Sequence, residues 1–98
     1  MTTNQETKIV IADHPGRQRY ELTSNGTLAA LLNYRVTPGR LDLVHTEVMP
    51  AFEGQGIAGR IVQFALDDAR TRGFKVVPSC SFVASYVRRH PGYHDLLA

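Results

Sequence analysis

Tryptophan is absent from this chain, and cysteine occurs once, at Cys80. A single thiol excludes an internal disulfide framework and the small secreted scaffolds that depend on one, so a reducing cytoplasm is the expected location. No apolar run approaches the roughly 20 residues of a membrane span. The N-terminal Met1-Thr2-Thr3-Asn4-Gln5-Glu6 lacks the basic and apolar regions of a signal peptide. It reads as a short disordered lead over 1–7. Charge of one sign is also missing: 11 basic side chains face 9 acidic ones, for a net +2. The only basic cluster is Arg88-Arg89-His90, thinner than the face a nucleic-acid binder presents. His14 and His94 are isolated, and no spaced His, Cys or carboxylate set suggests a metal site. Neither nucleic acid, membrane nor metal is therefore an expected partner, and the chain is expected to be a monomer or weak dimer.

What remains is ordinary soluble composition, 43% hydrophobic and 20% charged over 98 residues. That length makes one domain, 8–98, able to hide roughly 65% of its unfolded surface. Lys8 to Ala12 is β-branched and apolar and reads as a strand. Asp13-His14-Pro15-Gly16 is a turn by composition. Arg17 to Thr23 reads as a second strand, and Ser24-Asn25-Gly26 as a hairpin turn, since Asn-Gly is the strongest short hairpin signal. Thr27 to Val36 reads as a third strand, although its Ala-Ala-Leu-Leu centre also suits a helix. After the turn Thr37-Pro38-Gly39, Arg40 to Met49 is a fourth.

The period then changes. Ile57 to Arg72 sets Ala58, Ile61, Val62, Ala65, Leu66 and Ala69 on one helical stripe, and Gly73 stands where a helix ends. Phe74 to Pro78 reads as a short buried strand. Ser81 to Arg89 reads as a second helix, capped by Ser79 or Ser81 and stopped by Pro91-Gly92. An antiparallel meander that turns parallel at its last strand, with two main helices, is a mixed α/β (α+β) fold.

The segment between the fourth strand and the first helix carries the chemistry. Glu53-Gly54-Gln55-Gly56-Ile57-Ala58-Gly59-Arg60 holds three glycines in six residues. Strand, glycine turn and helix aim bare backbone N–H groups and the positive end of a helix dipole at an anion. A phosphate-bearing ligand at 54–60 is the first expectation, and a plain strand-to-helix turn is the alternative.

These residues resemble the acetyl-CoA motif of the GCN5-related N-acetyltransferases, Arg/Gln-x-x-Gly-x-Gly/Ala. Gly56 and Ala58 match its last two fixed positions, and Glu53 stands where Arg or Gln is usual. A longer run is similar to the small single-domain members of that family: His45-Thr46-Glu47-Val48, the glycine loop, Val76-Val77-Pro78-Ser79-Cys80-Ser81-Phe82-Val83, Tyr86 and Arg89-His90-Pro91. The resemblance implies a compact sheet of about five strands, with the fourth and fifth splayed. It implies acetyl-CoA as cosubstrate, its pantetheine arm on the strand edge near Val48 and its pyrophosphate on Gly54, Gln55, Gly56, Ile57, Ala58, Gly59 and Arg60. It also implies an open acceptor site, because the short 13–16 turn has no room for the helices that wall that site in larger members.

His45 and Glu47 lie two apart, on one face of their strand. An ammonium acceptor must lose a proton before it attacks, which makes Glu47 the first candidate base and His45 the second. The plainer alternative is a polar pair at a sheet end. Cys80, at the start of the last helix, is either an acyl relay with a lowered pKa or a small buried residue. Tyr86 matches the family tyrosine that can protonate the departing thiolate, or else packs under its helix. Arg88, Arg89 and His90 either touch a ligand phosphate or form a solvated helix end. The functional expectation is transfer of an acetyl group to a primary amine, small or on a protein. A CoA-binding module without robust catalysis is the second reading, and a domain for another nucleotide the third.

Overall fold

The structure is a computed structural model and describes residues 7–98. The expected lead lies, but for Thr7, outside the described residues. Five strands form one sheet in sequence order: β1 (Ile9–His14), β2 (Arg19–Ser24), β3 (Thr27–Thr37), β4 (Arg40–Val48) and β5 (Lys75–Val77). The first four are antiparallel and β5 runs parallel to β4. Two helices complete the fold, α1 (Ile57–Arg72) and α2 (Ser81–Arg89). Short 3-10 turns follow β1, β4 and α2 at Pro15–Arg17, Pro50–Phe52 and Pro91–Leu96. No helix among the described residues is long and apolar enough to cross a membrane.

The elements follow from local chemistry. Asn25 and Gly26 both take positive φ, 50° and 83°, the signature of a two-residue primed turn whose twist matches its strands. The turn is pinned where Asn25 Oδ1 accepts the Lys8 N–H at 2.7 Å. The apolar run Ala29-Ala30-Leu31-Leu32 is strand, because pairing on both sides satisfies its backbone. Gly73 closes α1 in the left-handed conformation.

Boundaries moved where proline acts. β1 runs on to His14, and β2 begins at Arg19 rather than Arg17, because Pro15–Arg17 wind into a 3-10 turn that ends at Gln18 with φ 52°. Pro91, expected only to stop α2, also opens the last 3-10 turn. Neither Ser79 nor Ser81 caps α2: the N-cap is Cys80, without a side-chain cap bond. On α1, Ile57 rather than Ala58 joins the buried stripe of Ile61, Val62, Ala65, Leu66 and Ala69.

The sheet has two unlike faces. Tyr20, Leu32 and Thr46 form one row across β2, β3 and β4, and Leu22, Ala30 and Val48 form the next. This face packs on α1, as the Tyr20 and Phe64 rings 5.9 Å apart show. The opposite face carries the rows Arg19, Asn33, His45 and Glu21, Leu31, Glu47. Leu31 is buried there but stands outside the main core. A bulge in β4 sets this arrangement. Tyr34 pairs with Leu43 and Asn33 with His45, so Val44 is an extra residue and the alternation beyond it flips.

Candidate functional site

Strands β4 and β5 pair over only three positions, Arg40 with Lys75, Leu41 with Val76 and Asp42 with Val77. One further bond, from the Cys80 N–H to the Leu43 carbonyl at 2.8 Å, closes the pairing. Beyond it the β5 side of β4 has no strand partner. The Met49 N–H bonds to Ala29 of β3 at 2.8 Å. Strand alternation therefore turns the Val48 N–H to the open side.

The chain then crosses to α1 through Glu53–Gly56. Gly54 and Gly56 have φ 79° and 73°. A Cβ at either would meet nothing within 4 Å, so both glycines open onto free space. Gly56 is the N-cap of α1 and has no side chain to fold over the helix end. The first intrahelical bond runs from the Arg60 N–H to the Gly56 carbonyl. The amides of Ile57, Ala58 and Gly59 therefore have no intrahelical acceptor, and no acidic residue occupies the first turn. An unpaired row of donors at a dipole's positive end is what an anion requires.

These parts meet at one cavity of about 240 Å³, lined by Val48, Phe52, Glu53, Gly54, Gly56, Ile57, Ala58, Gly59 and Phe82. Six of the eight residues expected to hold the cosubstrate are among them. Gln55 is exposed beside it. Arg60 lines a different cavity of about 220 Å³, with Ile11, Gln63, Phe64 and Asp67. Phe52 and Phe82 are additions. Phe82 stands within the motif run, whereas Phe52 carries no sequence signal beyond its nearness to the loop. A larger cavity of about 380 Å³, lined by Pro78, Ala84, Val87, Arg88, His94 and Leu97, includes none of the glycine loop, so size does not locate the site.

The chemical candidates divide between the faces. On the helix side, Cys80 Sγ lies 3.4 Å from Thr46 Oγ1. Burial pushes the thiol pKa up. Hydrogen bonds from the Thr46 hydroxyl and from the amides of Val83, Phe82 and Thr46 outweigh it and hold the thiol below its usual range. Thr46 was not expected; its signal was the alternation that the bulge disguised. Tyr86 packs against α1, its Cε2 3.7 Å from where a Cβ on Gly59 would stand, and its ring stacks on His90 at 3.9 Å. Burial, then the Asp67 charge, raises its pKa. It borders the cavity through Gly59 without lining it.

On the opposite face, His45 Nε2 stands 3.3 Å from Glu47 Oε1, and both side chains are more than half exposed. His90 and Arg89 turn back onto their own helix, at the Tyr86 and Ser85 carbonyls. Among the described residues no cluster of three potential metal ligands occurs.

Comparison with known proteins fits this geometry. The sequence profile of the GCN5-related N-acetyl-transferase family matches residues 19–96. The chain belongs to this family. Among its relatives are the NATD1 proteins of Xenopus tropicalis and Homo sapiens. Each is 34% identical over 77 residues, covering 76% of this chain and 71% and 68% of their own length. A GCN5-like protein of Staphylococcus aureus has the same fold, with a TM-score of 0.67, 22% identity and coverage of 99% and 91% of the two chains. The ribosomal-protein-S18-alanine N-acetyltransferase of Escherichia coli superposes with a TM-score of 0.61 at 23% identity, over 76% of this chain and 50% of that one. The compact five-stranded sheet with its short β1–β2 connection is thus a small version of the acetyltransferase fold.

Proposed function

We propose that this protein transfers an acetyl group from acetyl-CoA to a primary amine. One observation carries the reading: the open edge of β4 at Val48 and the unpaired amides of Ile57, Ala58 and Gly59 line the same cavity. A ligand held there has donors for a pyrophosphate at one end and a strand edge for an amide-rich arm at the other. Gln55 flanks the loop, and Arg60 adds positive charge to the first turn of α1 from the neighbouring cavity.

The Val48 N–H faces the gap and would stabilise negative charge developing on the thioester oxygen. Glu47, or His45 beside it, takes a proton from the acceptor ammonium on the open sheet face, and the free amine then attacks the thioester carbonyl. Tyr86, kept protonated by burial, returns a proton to the leaving sulfur. Cys80 stands on the opposite side of β4 from Glu47, so direct attack from the open face needs no passage through the thiol. The lowered thiol pKa keeps an acyl relay through Cys80 as the variant mechanism. The reducing setting expected from a lone thiol belongs to the same proposal.

Thermal shift against acetyl-CoA, CoA, ATP and NAD tests the ligand, followed by CoA release across a panel of amines. A CoA species at 100 times its dissociation constant stabilises the fold by about 2.7 kcal/mol. No shift with either CoA species overturns the reading. Binding without thiol release marks a CoA-binding module instead. A Cys80→Ala variant with full turnover removes the relay.

A further inference from the structure

The sheet face turned away from α1 segregates charge. Glu21 on β2 is 7% exposed and is clasped by three cationic or ionisable side chains. Arg19 Nε donates to it at 2.7 Å, Arg17 Nη1 at 2.9 Å, and His14 Nε2 lies at 3.4 Å. Two guanidinium groups thus answer one carboxylate, and the β2 end of the face keeps a positive excess. Arg17 is 61% exposed and has donors to spare. The β4 end holds Glu47 with no cation except His45, so at neutral histidine it is negative. The two ends belong to the same rows, Arg19–Asn33–His45 and Glu21–Leu31–Glu47. Two strand spacings, about 10 Å, separate them.

None of the three cavities includes a residue of these rows. A small molecule takes a concave site, whereas a flat sheet face suits an extended chain. We infer that this face docks the acceptor as an extended peptide, with its α-ammonium at Glu47 and an acidic side chain about three residues on at Arg17 and Arg19. The spacing follows from roughly 3.3 Å per extended residue. The inference rests on the proposed acetyl transfer, because only that reading brings an amine to Glu47.

Two peptides test it, Ala-Ala-Ala-Glu-Ala and Ala-Ala-Ala-Lys-Ala, titrated into the full chain and followed by backbone amide NMR. The acidic peptide should shift the amides of Arg19, Leu31, Asn33 and His45. It should bind roughly tenfold tighter than the basic one, since the exchange removes one attraction and adds one repulsion. An Arg17→Glu variant, its fold checked by its melting temperature, should reverse the preference. Equal binding of the two peptides, or shifts confined to other surfaces, overturns the inference. CoA titrated separately should shift the amides of 54–60, and failure there overturns the acetyl-transfer reading without touching the peptide result.

Discussion

Two glycines at the start of α1 do different work. Gly56 sits at φ 73° with open space ahead of it. Alanine there meets no clash but must hold a left-handed backbone, which costs roughly 1–2 kcal/mol. Gly59 is helical, and a Cβ there would make an ordinary 3.7 Å contact with Tyr86. Gly59→Ala should therefore be neutral or stabilising by about 0.5–1 kcal/mol through helix propensity. Urea midpoints of the two variants check the contrast; equal destabilisation would contradict the backbone argument. Cys80 offers a second residue-scale test. Thr46→Val removes the hydroxyl 3.4 Å from the sulfur and leaves burial less opposed, so the thiol pKa rises. Alkylation by iodoacetamide at pH 8 should slow, with its pH profile displaced upward. An unmoved profile would assign the lowered pKa to the backbone amides alone.

Among the elements, legibility was uneven for physical reasons. The meander was readable because its turns carry their own chemistry: Asn25-Gly26 and Pro38-Gly39 each specify a backbone conformation. The β3 ambiguity resolved toward strand because tertiary pairing decides an Ala-Ala-Leu-Leu segment that propensity leaves open. The β4 bulge was not readable. Simple alternation from Leu41 and Leu43 carries on to His45 and Glu47, which would put both candidate bases under α1. The extra residue Val44 sends them to the open face and brings Thr46 and Val48 inside. Nothing in Leu43-Val44-His45 announces the insertion, so sequence could place these residues on one face but could not say which.

The β1–β2 connection gives an element-scale prediction. Arg19 holds the Glu21 carboxyl below its ordinary range, with Arg17 and His14 adding to it, against burial. A carboxylate depressed in the folded state contributes stability above its unfolded pKa of about 4.3, and that stability is lost as pH falls through the folded value. Glu21→Gln should therefore flatten the decline of stability below about pH 4.5. It should also lower stability at pH 7, where the arginines lose their partner. Urea unfolding at several pH values measures both, and an unchanged acid slope would deny Glu21 that role.

At the scale of the whole molecule, the site is only as well defined as α2, and α2 is held from its far end. The C-terminal segment docks on α1 and β5. Arg70 donates to Asp95 at 2.7 and 3.0 Å and to the Gly92 carbonyl at 2.8 Å. Lys75 donates to the Asp95 carbonyl, and Tyr93 to Asp67 at 2.7 Å, a bond that helps raise the Tyr93 pKa to about 12, after burial. The Ala98 N–H reaches Val76 of β5. These side-chain bonds lie at the surface, while Leu22, Leu32, Leu43, Ile61, Leu66 and Val83 are fully buried, and Leu96 of the same segment stays in that core. Arg70→Ala should thus loosen the segment without unfolding the protein. Amide exchange at Tyr93, Leu97 and Ala98 should quicken, exchange in β2, β3 and α1 should hold, and the melting temperature should move little. Because Tyr86 packs between α1 and this segment, its ring centre 6.3 Å from that of Tyr93, the same change should lower the proposed acetyl transfer more than the proposed CoA binding. Uniformly faster exchange across all elements would instead make the clamp part of the global fold.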